Sequence, residues 1–500
     1  MDKEDKARLL EIVDSASQHA RRIFYLYIGF LTYCILTVAS TTDRQLALPG
    51  EQALLPILNI GVPLQGFFLY APLIAIFLFV YFMVYLVRLK SLVVLLGKDF
   101  NKRLLFPWMF NIAEDPDKEY GGVAILQRYI TSFSLWFTLP ITLFIFAGKY
   151  VKKHEEYWAY VFVALPFISM LIVFWFWNKL RDYEYDDLIK YAASSILVYI
   201  TVFWLALILV PNINAGKIKW ANLDLENEIL VVVPEKEKDF KQAYWVNFKD
   251  VNMNGANLYN SVLKRANFDN ASLRFADLSS SNLQGANFNL ADLRDSKLVA
   301  ANLQDIYSRE TNLEGADLSY VDLKNTDLWA VNLVGADLRG ADLQETTFGG
   351  ILIDDKNNIK SSDLRDAIFH NANLRDARLA GAMLKGTSFN FADLKNSMLA
   401  SADLEDSDLS DTNLEGAYLS NANLKGAYLY SAILKDAYLR DTNLDNAILQ
   451  GANLEGALHV TVSQLCQSQT LFNAKMDSDI LRGIKDKKTG CPELLNKPDY

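Results

Sequence analysis

The side chains best equipped for chemistry are few in this chain and poorly placed for it. Three cysteines (Cys34, Cys466, Cys491) and four histidines (His19, His154, His370, His459) stand among 500 residues. The histidines are widely separated, and none shares metal-ligand spacing with another histidine or a cysteine. No G-x-S-x-G elbow, phosphate-cradling glycine loop or H-E-x-x-H helix occurs. Cys34 lies in an apolar run and reads as a small filler. Cys466 and Cys491 are compatible both with a stapling disulfide, if they face an oxidising compartment, and with two free thiols. The sequence therefore predicts no catalytic site, no metal and no cofactor.

The elements around these residues fall into two unlike halves. The whole chain has 49 Lys+Arg against 59 Asp+Glu, a net −10. An acidic balance argues against a general nucleic-acid binder, which needs a basic surface. The charge is unevenly placed: residues 248–458 hold 30 acids and 19 bases, net −11, and the remainder has 29 acids and 30 bases.

Residues 23–215 contain five stretches free of Asp, Glu, Lys, Arg and His: Ile23–Ser40, Phe67–Val87, Tyr129–Ala147, Trp158–Trp177 and Ala192–Val210. About 20 residues of helix cross a bilayer core of ~30 Å, so these read as about five transmembrane helices. Aromatics at their ends (Phe24, Tyr25, Trp158, Trp175, Trp177) fit the lipid–water boundary, and Pro140 and Pro166 fall inside two of the runs. With the N-terminus inside, 15 Lys and Arg lie in the inner segments and 4 in the outer ones, which favours a cytoplasmic N-terminus. Five spans then place the C-terminal half outside the plasma membrane. Residues 1–22 carry Leu9, Ile12, Val13, Ala16 and Ala20 at helical spacing. They predict an amphipathic helix on the inner membrane surface or against the bundle. No Asp, Glu, Lys, Arg or His lies within any run, which weighs against coupled transport or voltage sensing.

The C-terminal half repeats every five residues. Apolar centres run from Phe248 to Phe348 in 21 units and from Leu364 to Leu454 in 19 more. Of these 40 centres, 39 are Leu, Phe or Met, and Ser308 is the exception. Two residues earlier 39 are Ala, Ser, Thr or Val, and the position between is Asn or Asp in 25. A helix would smear a period of five around its surface and a strand wants two. Ala286-Asn287-Phe288, Ala316-Asp317-Leu318 and Ala452-Asn453-Leu454 resemble the pentapeptide-repeat family motif A-(D/N)-L-x-x. The resemblance implies a right-handed quadrilateral parallel β-helix, with one unit per side and twenty residues per coil. Centre and small residues would then point inward and the other three positions outward. Stretches of the first half (Leu55–Phe68, Phe106–Asn111, Pro140–Glu155) look like the multi-span module joined to such repeats in some bacterial membrane proteins.

Further expectations follow from this layout. Ser308 should leave a local defect such as a bulge. Residues 349–363 break the phase and read as a surface insertion or a loop thrown towards a partner; Asp354 and Asp355 within it lack calcium-loop spacing. Residues 216–247, with one early motif match at Ala221-Asn222-Leu223, should link and cap the solenoid, and 457–500 should cap its far end with short helices. On a twenty-residue coil, Met398, Tyr418, Tyr438 and Leu458 form an outward apolar column, and Ile433 and Ile448 add apolar residues to that end of the rod. Asp403, Glu405, Asp406, Asp408, Asp411 and Glu415 follow one another with no Lys or Arg between Lys395 and Lys425. They form an acidic band open to a basic partner, a cation or solvent. The partners expected are the bilayer, an unidentified protein and further copies of the chain, and no nucleic acid. The role expected is a membrane-anchored, non-enzymatic interaction or scaffold protein. The alternatives are a passive channel or transporter with a β-helical regulatory domain and, further off, DNA mimicry of the gyrase-protecting kind. Eleven net charges over about 48 Å of coils ~4.8 Å apart fall well short of one per ~1.7 Å in B-DNA.

Overall fold

A computed structural model of the chain describes residues 3–47, 52–54, 61–95, 133–134, 136–150, 152, 156–180, 224–225, 231–232, 244–352 and 359–497. It divides into two compact units, Met1–Asn214 and Ala215–Tyr500. The fifth predicted span, Ala192–Val210, lies outside the described residues, as do Phe106–Asn111, His154, Ala221–Leu223, Asp354 and Asp355.

The first unit is helical. α1 (Lys3–Ser40) is followed by the single turn α2 (Asp43–Ala47), the short antiparallel pair β1 (Gln52–Leu54) and β2 (Gly61–Pro63), and α3 (Leu64–Leu95). α4 (Thr138–Tyr150) and α5 (Glu156–Leu180) follow among its described residues. Two of these helices, over Glu4–Ser40 and Gly66–Leu95, are long and apolar enough to cross a membrane, and a shorter apolar stretch covers Tyr160–Phe176.

α1 and α3 run antiparallel. Phe24 meets Phe82 with ring centroids 5.3 Å apart, and Tyr27 meets Phe79 at 5.8 Å. α4 returns alongside, with Tyr27 Oη 3.0 Å from Thr138 Oγ1. α5 folds back so that Phe162 stacks on Tyr150 at 4.2 Å and Phe176 meets Phe79 edge-on. The ends of α1 and α4 are tied together by Asp43, which accepts from Lys149 Nζ at 2.9 Å and Lys152 Nζ at 2.7 Å. The ends of α3 and α5 meet where Lys90 Nζ donates to the Lys179 carbonyl at 3.3 Å, a cation satisfying a helix C-terminus.

The amphipathic stretch 1–22 is continuous with the first apolar run in α1. At ~1.5 Å per residue such a helix outlasts a ~30 Å hydrocarbon core. Its first half packs on the end of α3 instead, where Val13 and Leu89 bury each other with Leu9, Ala16, Leu92 and Val93 around them. Pro140 falls in the first turn of α4, where a missing N–H leaves nothing unsatisfied.

The second unit winds as a solenoid. Before its coils lie the paired residues β3 (Val231–Val232) and β4 (Tyr244–Trp245). From Asn247 onward the residue before each centre bridges its counterpart on the next coil, in parallel and twenty residues on within each uninterrupted block: Asn247 to Asn267, Asn267 to Asn287 and so along the chain. Most units make the same turn. In the unit centred on Phe268, the side chain of Asn267 accepts from the Asp269 N–H at 3.1 Å, and the Ala271 N–H returns to the Phe268 carbonyl at 2.9 Å. That geometry explains the Asn/Asp preference before the centre: the side chain closes the corner as an Asx-turn does. The residue two after the centre sits at positive φ, as Asn270 does at 54°, where Asn, Asp and Gly are least strained. Centre and small residues are buried together, Ala266, Phe268, Ala276 and Leu278 all at 0% exposure. Each buried Leu or Phe contributes roughly 1.5–3 kcal/mol of burial, opposed by the ordering of its residue.

Ser308 keeps the register, and no bulge forms. Its unit belongs to the three-stranded parallel sheet of β5 (Tyr307–Arg309), β6 (Asp327–Trp329) and β7 (Thr347–Gly349), with Ser308 opposite Leu328 and Leu328 opposite Phe348. The missing apolar volume leaves a small cavity, about 20 Å³, lined by Phe288, Leu303, Ile306 and their neighbours.

The interruption after Phe348 is resolved by the bridges across it. Asn332 pairs with Asp363 and Thr347 with Arg378, 31 apart instead of twenty. The chain thus takes one ordinary step round the coil and adds an eleven-residue excursion. The excursion begins and ends as an antiparallel pair, β8 (Ile351–Leu352) and β9 (Ile359–Lys360). Lys360 Nζ ties it to the solenoid through Glu310 at 3.0 Å.

Both ends are closed. At the start, Leu225 is fully buried and its N–H donates to the Asn257 carbonyl at 2.7 Å. A residue two beyond the early motif match therefore sits over the Leu258 column. At the far end, β10 (Asn453–Leu454) pairs in parallel with β11 (Lys475–Met476), so residues near 467–476 form part of a further coil. α6 (Val462–Leu465) and α7 (Ser478–Lys485) flank it, and the Leu471 N–H donates to the Leu494 carbonyl at 2.7 Å. Cys466 and Cys491 are joined in a disulfide there, with Cα atoms 5.6 Å apart.

Candidate interaction surface

The solenoid has four faces, named here by their last buried centres: face 1 by Leu439, face 2 by Leu444, face 3 by Leu449 and face 4 by Leu454. Unbroken bridges from Met398 through Tyr418 and Tyr438 to Leu458 put the predicted apolar column on face 1. Tyr418 and Tyr438 stack at 4.6 Å and 8°. Met398, Tyr418 and Leu458 are 44%, 42% and 42% exposed. Arg440 and His459 lie beside its end, Nη2 3.4 Å from Nε2. The residues flanking the ladder (Ala380, Ala400, Ser401, Ser420) are small and uncharged, so the rings stand on a flat surface.

Ile433 and Ile448 lie at the same end of the solenoid, on other faces. Ile433 bridges Asn413 and Asn453 on face 4 and is exposed. Ile448 lies on face 3 and is buried, because Thr470 of the further coil pairs over it.

The acidic band is not a bare cluster. Glu405 of face 2 lies 3.5 Å from Lys385 on one neighbouring coil and 3.3 Å from Lys425 on the other, and these lysines hold its carboxyl below the usual range. Asp406 faces Lys385 at 3.7 Å, and Glu415 faces Lys395 at 3.2 Å. Asp403 accepts from Asn423 Nδ2 at 2.8 Å. Asp408, on face 3, is partly buried, which alone would raise its pKa. Hydrogen bonds from Ser410 and Asn390 outweigh that burial and hold it low. Asp411 is exposed beside it. The sequence gap between Lys395 and Lys425 vanishes in space, since residues twenty apart are neighbours. The same arithmetic that found the tyrosine ladder locates these lysines.

Sequence reasoning missed face 3. Phe391 (62% exposed) and Tyr428 (46%) lie there with Tyr430. It also missed Trp329, whose ring lies over Gly349 of the next coil, where a Cβ would collide with it. Among the described residues no three of His, Cys, Asp and Glu gather as a metal site. His370 Nε2 does approach Ser388 Oγ at 2.6 Å, but that hydroxyl is donated to Asn390 Oδ1, at 2.6 Å, inside a surface network.

Pentapeptide repeats match in overlapping segments from 244 to 458, broken at 307–308 and 351–361. With the twenty-residue coil, that decides the family. The solenoid is a pentapeptide-repeat domain. Among solved structures, it is similar to HetL, a pentapeptide repeat protein involved in heterocyst differentiation regulation from the cyanobacterium Nostoc sp. strain PCC 7120. Identity is 28% over 45% of this chain and 87% of that one, with a TM-score of 0.23. Rfr23 of the cyanobacterium Cyanothece 51142 is 28% identical over 31% of this chain and 88% of its own, with a TM-score of 0.15. A pentapeptide repeat protein of the Arabidopsis thaliana thylakoid lumen is 27% identical over 27% and 77%, with a TM-score of 0.13. These superpositions are loose, and the family rests on the repeat match and the coil geometry. No curated protein matches the chain.

Proposed function

We propose that this pentapeptide-repeat protein is a membrane-anchored, non-enzymatic interaction protein that presents face 1 of its solenoid to a protein partner. The observation that carries the reading is the Tyr418–Tyr438 ladder, stacked and solvent-facing at positions where the repeat ordinarily places Asn or Asp. Exposed contiguous apolar surface of this kind is characteristic of contact sites, and stacked tyrosines bring large rigid area at low entropic cost.

The anchor is supported by the outward side chains of the first unit. Phe77 (66% exposed), Tyr70 (61%), Leu26 (61%) and Phe144 (42%) point away from the bundle. A helix apolar on both its packed and outer sides suits lipid. We place the bundle in a plasma membrane with the N-terminus on the cytoplasmic side and the solenoid opposite, the side on which a Cys466–Cys491 disulfide would persist. DNA mimicry draws less support, because the acids of the predicted band are interleaved with Lys385, Lys395 and Lys425.

The test is site-specific photo-crosslinking of the full chain in its native membrane. A photoreactive residue at 418 is compared with one at 425 on charged face 2. Protein adducts at 418 and none at 425 support the reading; no adduct at 418 refutes it.

A further inference from the structure

Over the last coils the four faces differ sharply in charge. Faces 2 and 4 carry the ladders of Lys385, Glu405 and Lys425 and of Lys395, Glu415 and Lys435. Between residues 378 and 458, face 1 has only Arg378, Arg440 and Asp441 as charged residues, a net +1. Face 3, on the opposite side of the square coil, has only Asp408 and Asp411 over the same coils, a net −2. Each of these two faces also exposes aromatic rings, Tyr418 on face 1 and Phe391 and Tyr428 on face 3.

We propose that the occupant of face 1 is face 3 of a second copy of this chain. This rests on the reading of face 1 as a contact surface and names its partner. The argument is complementarity on three counts. Both faces are flat, being built on the same parallel bridges. Both offer rings that bury large area on contact. Their few charges are opposite in sign, which attracts face 1 to face 3 and disfavours face 3 against itself. Because the two faces lie on opposite sides of the coil, the contact is heterologous. Each added copy leaves one face 1 and one face 3 free, so copies add in a row instead of closing as a pair.

The test uses two double variants of the full chain in detergent micelles. Tyr418→Asp with Tyr438→Asp disables face 1, and Phe391→Asp with Tyr428→Asp disables face 3. Three of these four substitutions install a residue the repeat ordinarily carries at that position. Asp at 391 also suits the positive φ of 60° there. Folding is therefore expected to be retained, and circular dichroism melting checks it. Sedimentation velocity over a concentration series should show the native chain growing to dimers and larger species. Each variant alone should stay monomeric, and an equal mixture should give dimers and nothing larger, since one intact face of each kind remains. The proposal is overturned by a native chain monomeric throughout, by growth that neither variant alters, by a face 3 variant that still pairs with itself, or by a mixture that stays monomeric. A monomeric native chain that still gives adducts at 418 to a different protein refutes this pairing and leaves the contact-surface reading standing. No adduct at 418 refutes both.

Discussion

Ser308 Oγ donates to Thr311 Oγ1 at 2.8 Å, inside a coil otherwise filled by Leu and Phe. Thr311 Oγ1 in turn donates to the Phe288 carbonyl of the preceding coil at 2.7 Å. Both residues are about 2% exposed or less. The polar centre is accommodated because its hydroxyl has a partner, and that partner is itself hydrogen-bonded to the backbone. Thr311→Val keeps the shape and removes the relay, leaving a buried hydroxyl unpaired. We expect a loss of roughly 1–3 kcal/mol, with Ser308→Ala costing less because Thr311 keeps its carbonyl. Equilibrium unfolding of the two single variants and the double variant gives the coupling.

Gly349 should not tolerate a side chain. The Trp329 ring covers its Cα, and a Cβ there would drive into the six-membered ring. Gly349→Ala should cost roughly 1–3 kcal/mol, as overpacked sites do. Combining it with Trp329→Ala should recover most of the loss. If the double variant is no more stable than Gly349→Ala alone, the clash is not the cause.

Acid should weaken the solenoid through a few defined carboxylates. Asp337 is partly buried, which alone would raise its pKa, but the hydrogen bonds and charge of Arg339 dominate and lower it. Asp408 is lowered in the same sense by Ser410 and Asn390, against its own burial. A folded pKa below the unfolded value means that the stabilisation is complete above the ordinary value of 3.8 and disappears as pH falls below it through the folded pKa. The melting temperature of the solenoid should therefore fall steeply below about pH 3.8, and Asp337→Asn with Asp408→Asn should flatten that fall. An unchanged acid limb would show that other groups control it.

The disulfide should secure the far cap. It joins Cys466, where the further coil begins, to Cys491, just before the segment whose Leu494 carbonyl accepts from Leu471. Replacing both cysteines by serine should cost about 2–4 kcal/mol, the usual range for a crosslink. The Leu471 amide should exchange faster with solvent, while amides of middle coils such as Leu318 keep their protection, as expected of a solenoid that unfolds from its ends.

Much of this architecture was legible in the sequence, and the reason is the period. A five-residue phase held by Leu and Phe centres leaves one economical packing, so the coil, its inward residues and the Met398-to-Leu458 column could all be read in advance. Ser308 was legible as an exception but not in its effect. The register is set by backbone bridges on either side, which one small side chain does not shift. The end closures were less legible because Leu225 and Thr470 reach their columns through irregular chain that keeps no phase. The lysines beside the acidic band were less legible because coil distance governs there and not linear distance: Lys385 and Lys425 are each twenty residues from Glu405. In the first unit the runs Ile23–Ser40 and Phe67–Val87 fall within long apolar helices, but the helix that carries the first run extends back through Arg21 and Arg22. Charges at that point do not end a helix whose next turns have α3 to pack on.

We expect the Tyr418–Tyr438 ladder to be covered in the native membrane and open in the purified chain. Hydroxyl-radical footprinting measures this directly, with Phe275, 37% exposed on face 2 in an earlier coil, as the internal reference. Tyr418 and Tyr438 should oxidise in dilute detergent solution and be protected severalfold in native membranes, while Phe275 oxidises equally in both. Equal oxidation of Tyr418 and Tyr438 in the two settings would contradict that expectation.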